Sequence, residues 1–520
     1  LARELDALRF RADATINDMI QQVARASDGQ IGFVDAVAAF SRAPGVVAQS
    51  PGEELFFDHV HPSYRGNYEL ARAFFPEVVK QLPADGVAEA PSFERCNELL
   101  ALTHSDRVRN AGSLWSLMRG APFTNQLNYV ATRERLLARR EALWATSVSA
   151  MDAANACEAA CAAAPEDATL RILTATAQAS CGNYGVAMAH LTQAKQLLPN
   201  EPQIYIVEAR VHLERRDPLA AEQSVATYLD LLDHSLPGHI AAVNLFGSGG
   251  EPDRAKRYAR EAADRMPEKA AALSLLARAT TSNTFTSQTE QAAAMARARE
   301  LLVRAIELEP EYVNARVQLG EIQLATGQVA DAAASFARAI ELDPVMPGAH
   351  AGLGMTLFRR GKLAEATASL ATAVDLSPDD VAVGMQYAEM LSLGGDVQGG
   401  EQVLRRLLRI QPGLAPAAGR LAWLLATTTD PDVRDGTEAA RLARLAMAKG
   451  GRRVGPLVAM AAAHAANGDF SAATRVAAAA QVEARRVGDM GMVDRLSDQL
   501  ARYASDEALE LETYDRLEGW

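Results

Sequence analysis

A mainly α-helical solenoid preceded by an incomplete α/β segment is the fold class this chain predicts, on three observations. Prolines recur on a fixed period: Pro310, Pro344, Pro378 and Pro412 are each 34 residues from the next. Between them, apolar residues return at three- and four-residue steps, the spacing of one helical face. Before residue 90 that period is lost, and a helix, strand, loop, helix pattern takes its place.

At 520 residues the chain is too long for one compact core, so several domains or a repeat array are required. Its composition, 49% hydrophobic and 22% charged, is that of a soluble protein. It contains no run of eighteen or more apolar residues, so no membrane span is expected. A net charge of −13 argues against a nucleic-acid surface. The arginine pairs Arg405-Arg406 and Arg452-Arg453 read as solvated helix faces. The chain opens on Leu1 rather than Met, which predicts an excised or truncated piece with any targeting segment upstream.

Four cysteines do not make a disulfide scaffold. Cys157 and Cys161 share a helix face, but no second Cys or His pair stands near them in sequence. They read as small buried thiols rather than ligands. No cofactor and no metal are expected.

Taking the elements in order, "ADATINDMIQQVARAS" has helical periodicity, and "GQIGFVDA" reads as a short buried strand ending near Asp35. A loop with Pro44, Gly45, Pro51 and Gly52 leads to "FFDHVHP". The amphipathic "SYRGNYELARAFFPEVVKQL" follows, with Ser63 placed as its N-cap. Such an order belongs to the end of an α/β domain.

Within it, Asp58-His59-Val60-His61 followed by Pro62 and Gly66 resembles the last block of SGNH/GDSL-type hydrolases, a D-x-x-H in the loop before the final helix. The resemblance implies that His61 acts as general base for a serine nucleophile and that Asp58 orients its imidazole. The family's nucleophile comes much earlier, in a Gly-Asp-Ser turn. Here only Ser27, Ser41 and Ser50 precede Asp58, none in that context, and the blocks that supply oxyanion donors are missing. "TIND" at 15–18 imitates one of them, but inside a helical pattern. Two other readings stay open: a metal site through His59 and His61, with His104 the nearest further histidine, and a purely structural turn and cap.

Residues 91–167 read as a helical connector with a degenerate repeat at 134–167, a break at Pro122 and a charged, solvated run at 132–141. Its "PFTNQLN" is similar to connectors joining SGNH-like domains to repeat arrays in large bacterial proteins.

The array itself is expected over 168–487 as about nine units, with a capping helix in 488–520. In "YVNARVQLGEIQLATG" Gly327 ends a first helix, "VADAAASFARAIELDP" forms a second, and Pro344 begins the next connection. Gly320 and Gly354, Ala332 and Ala366, Phe336 and Leu370, and Ala339 and Ala373 recur in register. Small residues at those places let paired helices approach closely, and neither helix can bury its apolar face alone. The pattern resembles the tetratricopeptide repeat (TPR). Units are expected at about 168–201, 202–235, 236–269, 270–312, 313–346, 347–380, 381–414, 415–453 and 454–487, with inserted loops at 280–291 and 427–436.

TPR superhelices are right-handed and present a groove to proteins or peptides, and the resemblance implies such a partner here. In this frame the groove-facing residues are Asn314, Val317, Glu321 and Leu324 in one unit, and Gly348, Ala351, Met355 and Phe358 in the next. The alternative is that the apolar ones pack between repeats. Some TPR proteins clamp a C-terminal carboxylate with Lys and Asn at these places; Val317 and Glu321 do not supply that clamp. The sequence thus predicts an interaction scaffold fused to an incomplete ester-hydrolase or acyl-transfer domain. The alternative is an interaction protein whose α/β part is catalytically dead.

Overall fold

A computed structural model describes residues 14–27, 31–44, 55–56, 62–80, 89–118, 129–146, 149–282, 285–451 and 453–510. These form 26 helices and no strand, and an isolated antiparallel bridge joins Phe56 and Pro62. Contacts divide the chain into two compact units, residues 1–143 with 147–211, and 144–146 with 212–520.

The α/β expectation for the first ninety residues is therefore corrected where the structure describes them. Residues 31–35, expected as a strand, are irregular backbone running into a short helix, Ala36–Ser41. A lone strand leaves its amides and carbonyls without a ladder. Asp35 takes a different role, its carboxylate accepting the Ala38 N–H at 2.9 Å as the N-cap of that helix.

Elsewhere in the first unit the amphipathic helix after the loop forms over Tyr64–Val79, with the Ser63 hydroxyl accepting from the Gly66 N–H. Connector helices Phe93–Leu99, His104–Leu117 and Tyr129–Ala145 follow. Their small core holds Leu114, Trp115, Met118 and Leu136, with the Arg133 and Arg140 guanidinium groups 5.6 and 5.5 Å from the Trp115 ring. Cys157 and Cys161 are buried on the helix Ala150–Ala163. Burial, and secondarily the charge of Asp106, pushes the Cys157 thiol up to about 11, which suits an inert packing residue.

From Ala168 onward helices come in pairs, here termed A and B. The first unit contains Ala168–Ser180 with Tyr184–Leu197. The helix Pro202–Glu214 crosses the boundary and is followed by Pro218–Leu231. In the second unit the pairs are Leu236–Ser248 with Pro252–Arg265, Ala270–Thr281 with Gln288–Leu308, and Val313–Ala325 with Val329–Leu342. Next come Pro347–Arg359 with Leu363–Leu376, and Val381–Leu393 with Val397–Ile410. The pairs Ala415–Thr427 with Gly436–Gly450 and Val454–Ala466 with Phe470–Val487 close the series, and Met490–Ala504 packs on the last.

The repeat positions explain why these helices pair. Ala332, Phe336 and Ala339 on one B helix, and Ala366, Leu370 and Ala373 on the next, are all fully buried. Phe336 fits between successive A helices because both offer glycine there. A Cβ on Gly320 would lie 2.8 Å from its ring, and one on Gly352 only 2.2 Å. Removing that ring from water contributes about 1.5–3 kcal/mol. The A–B turns need one left-handed residue, supplied by Gly327 and Gly361 at φ +79° and +75°. Between the helices Pro202–Glu214 and Pro218–Leu231, Arg216 holds that place at φ +60°.

Candidate functional site

Each A helix places its ninth residue on the same face, because the period returns that position to the same side of every unit. In consecutive units of the 212–520 half these residues are Asn244, Arg278, Glu321 and Met355. The first is exposed, as is Arg278; Glu321 is open to water and Met355 is half-buried. Two open clefts lie along this row. One, of about 420 Å³, is lined by Asn244, Gly247, Ser248, Arg278 and Ser282 among others. The second, of about 210 Å³, is lined by Arg278, Thr281, Met295, Gln318, Glu321 and Ile322.

Side chains bridge from one A helix to the next. Arg278 Nη2 donates to Asn244 Oδ1 at 2.8 Å, and Gln318 Nε2 donates to the buried Ser274 Oγ at 2.8 Å. Glu321 has solvent access, yet the surrounding helices remove enough hydration to push its carboxyl above the ordinary carboxylate range. A group open to water but walled by protein in this way sits in a concavity.

The groove-facing residues of the sequence frame fall into two sets. Asn314 and Glu321 are exposed, and Leu324, Met355 and Phe358 are half-buried. Val317 and Ala351 are each only 8% exposed and sit in the packing between repeats, Val317 against the helix bearing Gly348. Farther along, the row closes. Glu389, 8% exposed, accepts from Arg420 Nη1 at 2.8 Å, and Trp423 is 1% exposed. Within residues 212–520 the accessible part of the face thus runs from Asn244 to Phe358. Asn244 and Arg278 were missed by a reading that named residues in two units only; the same frame carried back two units finds them.

Asp58, His59, His61 and Ser50 lie outside the described residues. Residues that flank them in sequence are described. Leu55 is fully buried, the Ser63 N–H donates to Leu55 O at 2.7 Å, and Phe56 pairs with Pro62. Gly66 is required there, since a Cβ would meet Leu55 O at 2.0 Å. The two described serines upstream are engaged locally. Ser27 Oγ donates to Ala24 O and accepts from the Ile31 N–H, and Ser41 Oγ donates to Val37 O.

Two tetratricopeptide repeat family models match the chain, over residues 295–347 and 324–392. Residues before 295 and after 392 lie outside both. No curated protein sequence matches. Among solved structures, a thermophilic TPR protein of Thermus thermophilus is similar at 18% identity, covering 43% of this chain and 99% of that one with a TM-score of 0.28. The APC/C hetero-tetramer Cut9-Hcn1 is similar at 12% identity, covering 79% of this chain and 95% of that one with a TM-score of 0.43. Residues 295–392 thus carry tetratricopeptide repeats, set within a longer series of paired helices. Among the described residues no helix is long and apolar enough to cross a membrane.

Proposed function

We propose that this protein is an interaction scaffold whose partner, a protein or peptide segment, lies along the A-helix face from Asn244 to Phe358. The observation that carries this reading is the row Asn244, Arg278, Glu321 and Met355, one residue per unit, of which the first three line the two clefts. The inter-helix hydrogen bonds of Arg278 and Gln318 hold polar groups in place on that row, which lowers the ordering cost of binding. Asn314, Leu324 and Phe358 border the row in the same frame; Val317 and Ala351 support it from beneath.

The test is a photo-crosslinking amino acid placed singly at Arg278, Glu321 or Met355, with the exposed B-helix residue Arg338 as the control position. Crosslinks to one partner from the A-helix positions and none from Arg338 are expected. Equal yields from both faces would remove the groove from the account.

The hydrolase remnant is the second reading, and two observations favour it. The described residues on either side of Asp58 and His61 are tied to each other, by the Phe56–Pro62 bridge and by the Ser63 N–H to Leu55 O bond. In addition, the helix Ala14–Ala26 turns Ile16, Met19, Ile20 and Val23 outward, each 48–62% exposed, a face suited to cover by the body of an α/β domain. In this reading His61 is a general base and Asp58 its orienter, without a nucleophile to serve. The 520-residue chain is expected to show no turnover of short acyl esters; hydrolysis abolished by His61→Ala would mean that a nucleophile is present.

A further inference from the structure

We propose a divalent-metal site, zinc(II) by its donor set, formed by His234, His239 and Glu261. Their ligand atoms all lie within 4.8 Å of one another. His234 follows the helix Pro218–Leu231, His239 lies in the first turn of Leu236–Ser248, and Glu261 is on Pro252–Arg265. The site joins the end of one repeat to both helices of the next.

Local sequence builds it. Ser235 caps the helix Leu236–Ser248, its hydroxyl accepting from the Gly238 N–H, and Pro237 starts the first turn. That turn brings His239 Nδ1 within 3.0 Å of the Ser235 carbonyl, to which it donates. Asp233 and His234 both adopt left-handed backbone, φ +49° and +47°, an unfavourable conformation for side chains of this size. The turn they make sets His234 Nε2 3.0 Å from Asp230 Oδ1. Each imidazole therefore gives one N–H to an outer acceptor, a carboxylate or a backbone carbonyl, and turns its other nitrogen inward as a lone pair. Metal-binding histidines are oriented in the same way.

The inward nitrogens converge on one carboxylate oxygen. His234 Nδ1 and His239 Nε2 stand 3.4 and 3.6 Å from Glu261 Oε1, and neither has a hydrogen-bond partner. His239 is completely buried, so its bare nitrogen is costly. Two ligands at about 2.0–2.1 Å from a tetrahedral zinc stand about 3.3–3.4 Å apart. These two nitrogen–oxygen separations are close to that spacing and exceed a charge-assisted hydrogen bond of about 2.7–2.9 Å. Arg265 Nε also donates to Glu261 Oε1 at 3.0 Å; with its side chain 50% exposed, it can swing into water when a cation enters. His234 and Glu261 are partly exposed, which gives the metal an entry path. Two imidazoles and one carboxylate leave a fourth position for water or a partner's side chain.

The experiment uses the full chain stripped with chelator and titrated with zinc(II) alone by calorimetry, with cobalt(II) as a visible probe. One zinc per chain is expected, and a cobalt spectrum without thiolate charge transfer. His234→Asn keeps a residue that tolerates left-handed backbone, and Glu261→Gln alters a part-exposed group, so both variants should fold. Each is expected to weaken zinc binding more than Asp230→Asn, which removes only an orienting acceptor and should cost about 10–100-fold. Arg265→Ala should leave binding intact. Failure of the native chain to bind zinc at micromolar concentration would overturn the proposal. So would unchanged affinity in both ligand variants, or a thiolate band pointing to Cys157 and Cys161.

Discussion

The helices Ala14–Ala26 and Val329–Leu342 are nearly equal in length, and both carry an apolar stripe. Their fates differ. Ile16, Met19, Ile20 and Val23 of the first are about half exposed or more, whereas Ala332, Phe336 and Ala339 of the second are fully buried. Periodicity along a segment specifies a helix and its sticky side; it does not say what covers that side. In the repeats the cover is encoded as well, because every unit supplies the glycines and alanines that receive its neighbour's large residue. Gly320 and Gly352 around Phe336 are the clearest case. The first helix shares its apolar side with Ile31 and Phe33 across an open cleft, and that side stays about half exposed.

The largest effect should come from removing a covered residue. Phe336→Ala is expected to destabilise the surrounding repeats by about 3–5 kcal/mol, whereas Val23→Ala should change stability by less than about 0.5 kcal/mol. Urea melts read by a probe near residue 336 check both, since an array can melt in stages. Comparable losses would erase the distinction drawn between the two helices. Overfilling the same contact is a milder test: Ala332→Leu should cost about 1–3 kcal/mol by forcing helices apart.

A stabilising change sharpens the comparison from the other direction. Arg216 holds left-handed backbone where Gly182 and Gly250 stand in the neighbouring units. Arg216→Gly should raise stability by up to about 1 kcal/mol, measured as a higher melting temperature. A lower one would mean that the arginine side chain contributes more than the turn strain costs.

Much of the repeat region was legible because its information is local and repeated. Pro344 after one unit, Gly327 in its turn and Ala332 in its contact each have a single physical reason, and each recurs. The first ninety residues were read less well, since a strand such as 31–35 exists only if another segment pairs with it. The convergence of His234, His239 and Glu261 went unread for a related reason. The two histidines are close in sequence, but the carboxylate comes from the following helix, and the left-handed turn at Asp233 and His234 has no glycine to announce it. Arg278 and Asn244 needed only the frame to be carried farther.

The smallest expected effect concerns Glu321. Partial loss of hydration raises its carboxyl above the ordinary range. The folded state then holds the proton more tightly than the unfolded one, so stability falls as pH rises from the ordinary glutamate range through the raised value. Glu321→Gln should therefore raise the melting temperature at neutral pH, with the gain vanishing in acid below the ordinary range. A gain independent of pH would show that desolvation of the charge is not its cause.

The central claim is that repeat helices bury their apolar side in neighbouring units while the helix Ala14–Ala26 leaves its own about half exposed, and native-state hydrogen exchange on the full chain tests it most directly. The account predicts amides of Val313–Leu342 protected by orders of magnitude over those of Ala14–Ala26, which should exchange through local opening. Equal protection in the two segments would contradict it.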